Sequence, residues 1–197
     1  MNIFYKYAKP VFVLVFSFLL SIFSLKTEAT TIKELSRLQR GEIITSSLTP
    51  TLKDNLKGAE SKVLIKAPPE KVWAILDNQE KLPEVIPRFK KITVLEKTPN
   101  SQKVQVALKV CKFLPLFKYT MTLDTREKYK RVKFNKVDGC FKSLYGTYEL
   151  ERYPQGTVLT YRMYVDTGFF VPDFVCKSGL SGDLPDIMSA IKAKAER

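Results

Sequence analysis

The chain has 197 residues, a net charge of +13, three cysteines and no histidine. The absence of histidine excludes serine–histidine–aspartate and cysteine–histidine catalysis, histidine general bases and histidine-ligated metal sites. Lysine supplies most of the positive charge and is spread along the chain, whereas nucleic-acid readers concentrate arginine in patches. We therefore expect a solvated basic surface, or one attracted to an anionic membrane, and no binding of nucleic acid.

Residues 1–29 have the three-part layout of a secretory signal peptide. Two lysines precede residues 11–25, which are apolar apart from serines, and Thr27 and Ala29 are small residues where signal peptidase requires them. A membrane-spanning helix needs about 20 apolar residues, so an uncleaved membrane anchor is the less favoured alternative. The sequence therefore predicts an exported protein, periplasmic or secreted.

The exported chain is predicted to consist of a lead-in, residues 30–58, and one domain, residues 59–197. Residues 31–40 place apolar side chains at helical spacing, and Gly41 is a natural stop. An extended segment follows, and residues 46–57 are polar and contain a proline. A chain of this length buries roughly 70% of its unfolded surface, so a single core can form unaided.

A strand and two short helices are predicted at the start of the domain. Residues 59–66 alternate apolar and polar side chains, as a strand does. The sequence Ala-Pro-Pro-Glu at 67–70 begins a helix, because proline is tolerated at the first helical position and an early glutamate suits the positive end of a helix. A second, shorter helix is expected between Pro83 and Pro87.

Six further segments alternate with a period of two, which is typical of strands with one buried face. They cover residues 91–97, 102–111, 117–125, 130–137, 142–152 and 157–166. Because the turns between them are short, neighbouring strands are predicted to be antiparallel. Residues 184–195 then form a helix, with Asp183 as its N-cap and Pro185 in its first turn. The predicted class is α+β, a curved antiparallel sheet of about seven strands around a long C-terminal helix.

A sheet that curves over one helix cannot bring every inward side chain into contact, and the enclosed space is a usual site for a hydrophobic small molecule. The hydroxyls of Tyr119, Tyr148 and Tyr161 are candidates to orient a polar head group. The predicted ligand contacts are the inward-facing residues Tyr119, Met121, Phe134, Tyr148, Tyr161, Met163, Phe170, Leu184 and Ile187. The alternative for each of them is packed core.

Several stretches of the sequence resemble the START-like, or SRPBCC, superfamily, in particular its polyketide cyclase and coenzyme Q-binding branches. They are APPEKVWAILD at 67–77, LPEVIP at 82–87, GTYEL at 146–150, GTVLTY at 156–161 and LPDI at 184–187. The segment LSRLQRGE at 35–42 is similar to exported bacterial members. The resemblance covers about residues 32–196 and implies a helix-grip fold with a hydrophobic cavity, in a family whose functions range from lipid carriers to cyclases.

In the helix-grip fold, the turns that follow residues 111 and 137 and the connection into the last helix surround the mouth of the cavity. The resemblance therefore implies that Cys111, Cys140 and Cys176 lie at one end, where a Cys111–Cys140 disulfide would link the rim; three unrelated thiols are the alternative. The side chains implied to contact a membrane there are Phe113, Leu114, Leu116 and Phe117. Packing against the last helix is the alternative for these four.

The expected function is that of an exported, monomeric carrier that holds a lipid, an isoprenoid or a sterol-like molecule and touches an anionic membrane surface transiently. No cofactor and no metal site is expected, since the sequence contains no P-loop, GxGxxG or EF-hand motif. The missing catalytic motifs also predict that the protein is not an enzyme. The alternative is a cyclase-like or hydrolase-like enzyme that acts on a hydrophobic substrate in the same pocket, with Asp124 or Arg126 taking part.

Overall fold

The computed structural model describes residues 32–48, 56–109, 114–168 and 173–197, with the side chains of the last helix described from Leu184 onward. The chain divides into two compact units, residues 1–40 and residues 41–197. In the first unit, residues 32–39 form helix α1, as their spacing predicts. The predicted signal peptide lies outside the described residues and stays a prediction.

The second unit is built on one antiparallel sheet of eight strands in the order β1-β2-β8-β7-β6-β5-β4-β3. The strands are β1 (Ile44–Leu48), β2 (Lys57–Ile65), β3 (Phe89–Thr98), β4 (Ser101–Leu108), β5 (Phe117–Glu127), β6 (Arg131–Gly139), β7 (Ser143–Tyr153) and β8 (Gly156–Asp166). The predicted α+β class, the curved antiparallel sheet and the closing helix are confirmed. The sheet has one strand more than expected, because residues 44–48 of the predicted lead-in pair with residues 58–62 of β2.

Two short helices follow β2, as predicted. Helix α2 (Pro69–Asp77) begins with a proline that needs no amide partner, and it buries Val72, Trp73 and Leu76 against the sheet. A 3₁₀ turn, Gln79–Lys81, leads into helix α3 (Leu82–Val85). These helices cover the end of the sheet where β3 begins.

Helix α4 (Asp173–Ala195) closes the domain, and it is longer than predicted. The prediction that Asp183 caps this helix is wrong, because α4 runs through Asp183 and contains Pro185 inside it. A proline inside a helix removes one main-chain hydrogen bond, but α4 continues through this position, so Asp183 and Pro185 do not mark its start.

The core lies between the inner face of the sheet and α4. On α4, Leu184, Met188, Ile191 and Ala195 are fully buried. The C-terminal end of this helix is bound to β2 by the Lys192 Nζ, which donates to a main-chain oxygen of that strand. None of the helices in the described ranges is both long and apolar enough to cross a membrane.

Candidate ligand-binding site

The strand register brings the loops that precede and follow the middle strands to one end of the sheet. Leu108 lies opposite Phe117, and Ser143 lies opposite Asp166. The β4–β5 and β6–β7 connections and the exit from β8 towards α4 therefore share this end, as the family resemblance implied. We refer to the described residues 107–109, 114–119, 136–143 and 165–168 as the rim.

Three aromatic side chains form a group at the centre of the inner face. Tyr148 and Tyr161 stack with ring centroids 4.3 Å apart, and the Tyr161 hydroxyl lies 3.3 Å from the sulfur of Met163. The ring of Phe134 packs against both tyrosines at centroid distances of 5.8 and 6.0 Å. The inward orientation follows from the alternation of β6, β7 and β8, which the sequence predicts.

Gly146 makes room for the Phe134 ring on the inner face. A Cβ atom at Gly146 would lie 2.5 Å from the Phe134 Cζ and 2.0 Å from the main-chain oxygen of Arg162. Contacts this short do not occur between real side chains, so the tight approach of the ring and of β8 requires a glycine here. The absence of a side chain at this position thus determines how the central aromatic group packs.

A second aromatic group lies at the rim. Tyr119 packs against Phe141 at 5.3 Å between ring centroids, and Phe141 stacks on Phe117 at 5.6 Å. The sequence analysis missed Phe141 because this residue lies in the turn between β6 and β7, where the period of two is broken. Its only signal in the sequence is a bulky aromatic residue in a short connection.

Burial keeps the inner phenols neutral. Desolvation raises the pKa of Tyr119 far above its ordinary value, and the nearby Tyr161 and Cys140 add to this shift. Desolvation also raises the pKa of Tyr148 well above 10.0, with further contributions from the charge of Tyr161 and a hydrogen bond to it. These hydroxyls can therefore donate and accept hydrogen bonds but do not become phenolates at moderate pH.

The other predicted ligand contacts lie in the same interior. Met121, Leu184 and Ile187 are buried in the core, and Met163 is partly buried against it. Phe170 lies outside the described residues. The structure thus brings the described candidates together on one apolar surface, and their contact with a ligand stays a prediction.

The predicted membrane-contact residues differ in exposure. Leu116 is 42% exposed and Leu114 is partly buried against the core. The side chain of Phe117 faces the interior, where it is 7% exposed and stacks on Phe141, because strand alternation turns it away from Leu116. Phe113 lies outside the described residues. Leu116 is therefore the described member of this set that solvent reaches most.

Cys140 lies at the rim as an exposed, free cysteine. Its amide donates to the main-chain oxygen of Lys118 over 3.0 Å, and desolvation raises the pKa of its thiol. Cys111 and the side chain of Cys176 lie outside the described residues. The Cys111–Cys140 disulfide therefore stays a prediction.

The two acidic side chains at the rim are both engaged. Asp166 is buried, accepts from the amide of Gly168 over 2.9 Å and pairs with the Lys142 ammonium at 3.1 Å. The Gly168 hydrogen bond, more than the ion pair, lowers the pKa of this carboxyl. Asp138 accepts from the amide of Gly139 over 2.8 Å.

Asp124 and Arg126, the candidate polar groups for catalysis, pair with each other instead of entering the interior. Their closest charged atoms are 2.6 Å apart, and the Arg126 side chain is 72% exposed. The hydrogen bonds from Arg126 lower the pKa of Asp124 to about 2. Alternation along β5 explains this placement, because Leu123 and Thr125 occupy the inward positions. Within the described ranges, no group of acidic or cysteine residues is arranged to hold a metal ion.

A family model described as polyketide cyclase / dehydrase and lipid transport matches residues 65–192. No curated protein matches the chain significantly. The Zhui aromatase/cyclase from Streptomyces sp. R1128 is a similar solved structure, with a TM-score of 0.64 and 16% identity over 73% of this chain and 95% of that chain. A STAR-related lipid transfer protein fragment from Xanthomonas axonopodis has a TM-score of 0.67 and 13% identity over 79% and 94%. A START superfamily protein from Mycobacterium smegmatis has a TM-score of 0.59 and 14% identity over 79% and 98%.

The prediction that the protein is not an enzyme is wrong, because an aromatase/cyclase shares this fold. The missing histidine excludes particular mechanisms, such as a serine–histidine–aspartate triad. It does not exclude chemistry that depends on the shape of a pocket and on a few polar groups within it.

Proposed function

Because this chain belongs to the polyketide cyclase / dehydrase and lipid transport family, we propose that it is an exported carrier of a hydrophobic small molecule. The fold itself is a hydrophobic ligand-binding fold. The proposed ligand is a lipid, an isoprenoid or a sterol-like molecule, held between the inner face of the sheet and α4. The protein acts as a monomer in this proposal.

The observation that best supports this proposal is the aromatic lining of the inner face, which leads from the rim to the centre. Phe117, Phe141 and Tyr119 form its outer part, and Tyr161 and Tyr148 continue it inward. Tyr161 is near enough to Tyr119 to add to the rise in the pKa of Tyr119. An alkyl chain gains about 0.8 kcal/mol for each buried CH₂, so about ten buried carbons would give roughly micromolar binding.

Loading of the ligand is proposed to occur from an anionic membrane surface at the rim. Leu116 offers an exposed apolar side chain there, and Lys118 is exposed beside it. An apolar contact together with basic residues is the usual combination for reversible binding to such a surface. Transient contact would let a lipid enter without passing through water.

A cyclase-like enzyme is the second candidate function, and the inner phenols favour it. Tyr119 and Tyr148 are neutral phenols in a desolvated interior, and Tyr161 is buried there with them. Such donors polarise carbonyl groups and supply protons, as a ring-closing reaction on a polyketide-like substrate requires. Turnover of such a substrate that stops in the Tyr119→Phe and Tyr161→Phe variants would favour this candidate over simple carriage.

Native mass spectrometry of the protein purified from the cell envelope tests the proposed carrier function. We expect a bound lipid in the wild-type protein and its loss in Met163→Trp, because the larger ring fills the interior beside Tyr161. Tyr145→Trp is the matched control, because Tyr145 is 38% exposed on the other face of the sheet. Wild-type protein that is repeatedly recovered empty, and that binds no apolar probe, would contradict the proposal.

A further inference from the structure

Two polar groups at the rim share the inner face of the sheet and have no partner in the described part of the chain. They are the hydroxyl of Tyr119 and the ammonium of Lys136. We propose that these two groups bind the head of an anionic amphiphile, namely a carboxylate attached to an apolar chain. This inference rests on the proposed function and specifies the chemical class of its ligand.

Tyr119 differs from Tyr161 in its hydrogen bonding. The Tyr161 hydroxyl donates to the sulfur of Met163. The Tyr119 residue is only 5% exposed, yet among the described residues its hydroxyl makes no hydrogen bond. This hydroxyl is therefore available to donate to an acceptor atom on a ligand.

The chemistry of Tyr119 favours a hydrogen-bond acceptor that carries a negative charge. Desolvation raises the pKa of this phenol, so it keeps its proton beside an anion. A neutral O–H that donates to a carboxylate forms one of the stronger hydrogen bonds in proteins. The hydrogen bond from the same phenol to a neutral head group would be weaker.

Lys136 supplies the positive charge on the same face. It follows Phe134 by two residues in β6, so both side chains point inward, and Lys136 is partly buried. It lies opposite Met121, while Tyr119 lies opposite Gly139, with a register shift between the two pairs. The two oxygens of a carboxylate let one group accept from a hydroxyl and pair with an ammonium on the same face.

The charge balance of the rim favours an anion over a cation. Both acidic side chains there, Asp138 and Asp166, already accept hydrogen bonds from the main chain, and Asp166 is paired with Lys142. Lys136 adds positive charge to the inner face without an ion pair among the described residues. A head group at the rim would then direct its tail along Tyr161 and Tyr148 into the apolar interior.

Competition with the neutral fluorescent probe N-phenyl-1-naphthylamine tests the inference with three ligands of one tail length: dodecanoate, methyl dodecanoate and dodecyltrimethylammonium. We expect the wild-type protein to bind dodecanoate most tightly. Tyr119→Phe should weaken dodecanoate about tenfold or more, the size of a hydrogen bond to a charged group, and leave the ammonium ligand unchanged. Lys136→Gln should weaken dodecanoate and leave the methyl ester unchanged.

Two control variants and two outcomes make the test decisive. Tyr145→Phe and Lys133→Gln change the same residue types at exposed positions on the other face of the sheet, and we expect them to bind all three ligands as the wild-type protein does. Equal affinities for the three ligands, or an equal loss for all three in Tyr119→Phe, would overturn the inference while leaving the proposed carrier intact. Failure of the probe and of every ligand to bind would overturn the carrier function as well.

Discussion

Tyr148 and Tyr161 face each other across β7 and β8, and their rings stack with centroids 4.3 Å apart and planes inclined by 12°. This separation is at the short end of the range for aromatic pairs. The stacking excludes water from both rings, and desolvation raises the pKa of the Tyr148 phenol. The pair thus forms a rigid centre for the inner face and links the site to the stability of the fold.

We predict that the buried phenols make the protein less stable at high pH. The unfolded chain releases phenol protons near pH 10.0, whereas folding raises the pKa of Tyr119 and Tyr148 above that value. The folded state then holds more protons, so the free energy of unfolding falls as pH rises past 10. Each phenol contributes a slope of about 1.4 kcal/mol per pH unit.

Urea denaturation between pH 9 and pH 12 measures this effect. Tyr148→Phe should reduce the slope of the free energy of unfolding against pH by the contribution of one phenol. Tyr145→Phe, at an exposed position, should retain the wild-type slope. Identical slopes for wild type and Tyr148→Phe would mean that Tyr148 is not desolvated in the folded protein.

Gly146→Ala is expected to destabilise the fold by about 1–3 kcal/mol or more, as overpacking of a core does. The added Cβ would meet the main-chain oxygen of Arg162 at 2.0 Å, and a backbone atom in a central strand cannot move aside cheaply. Gly58→Ala is the matched comparison, because its Cβ would meet the ring of Tyr164 at 2.7 Å and a side chain can rotate away. Equal losses of stability in chemical denaturation of the two variants would contradict this account.

Asp166→Asn is expected to cost about 1 kcal/mol at neutral pH, the difference between a charge-assisted and a neutral hydrogen bond. Because the Gly168 amide and Lys142 lower the pKa of Asp166, its stabilising effect is present above the ordinary value of 3.8. It disappears as pH falls through the lower pKa of the folded state. Denaturation should therefore show that Asp166→Asn has a lower free energy of unfolding than wild type at pH 7 and the same value below pH 3. Asp138→Asn, at an exposed position, should lower the free energy of unfolding less. If the difference between wild type and Asp166→Asn persisted in acid, the charge of the Asp166 carboxylate would not be its cause.

We predict that the exported protein begins at Thr30. Amino-terminal sequencing of protein from the periplasm or the medium checks the cleavage site, and Ala29→Lys should block processing by placing a large charged residue before it. Ala8→Lys is a control that adds the same charge within the positive start of the segment. A chain that keeps residues 1–29 while anchored in the membrane would support the uncleaved alternative.

The Cys111–Cys140 disulfide is tested by peptide mapping of the exported protein under non-reducing conditions. We expect a linked peptide pair and a loss of about 2–4 kcal/mol on reduction, the usual effect of a disulfide. Alkylation of Cys140 in the folded, unreduced protein would contradict the prediction, since a cysteine in a disulfide has no thiol to react. Cys176→Ser should keep the linked pair if the disulfide joins Cys111 to Cys140, and should lose it if the disulfide involves Cys176.

The inner face could be predicted from the sequence because side chains alternate along a strand whatever the surrounding fold. This rule placed Met121, Phe134, Tyr148 and Tyr161 on one surface, where the structure has them. The two short helices could be predicted for a similar reason, since Pro68 and Pro69 restrict the backbone locally. The family resemblance added the arrangement of the loops at the rim.

Other features depend on residues far apart in the chain, and local patterns could not specify them. The sequence predicted an extended segment after Gly41, but the pairing of residues 44–48 with β2 was not expected. The start of α4 was misplaced because Asp183 and Pro185 are typical of the first turn of a helix, whereas here they lie inside one. Phe141 joins the site from a turn, which no periodicity marks.

Which side chains face inward, and that the interior is apolar, follow from the amino-acid sequence, because alternation and hydrophobicity are local properties. How these side chains meet depends on the folded sheet. The rings of Tyr148 and Tyr161 stack across two strands, while the Tyr119 hydroxyl makes no hydrogen bond among the described residues and shares the inner face with Lys136. Such contacts are fixed by distances between separate strands, and those distances exist only once the sheet has formed.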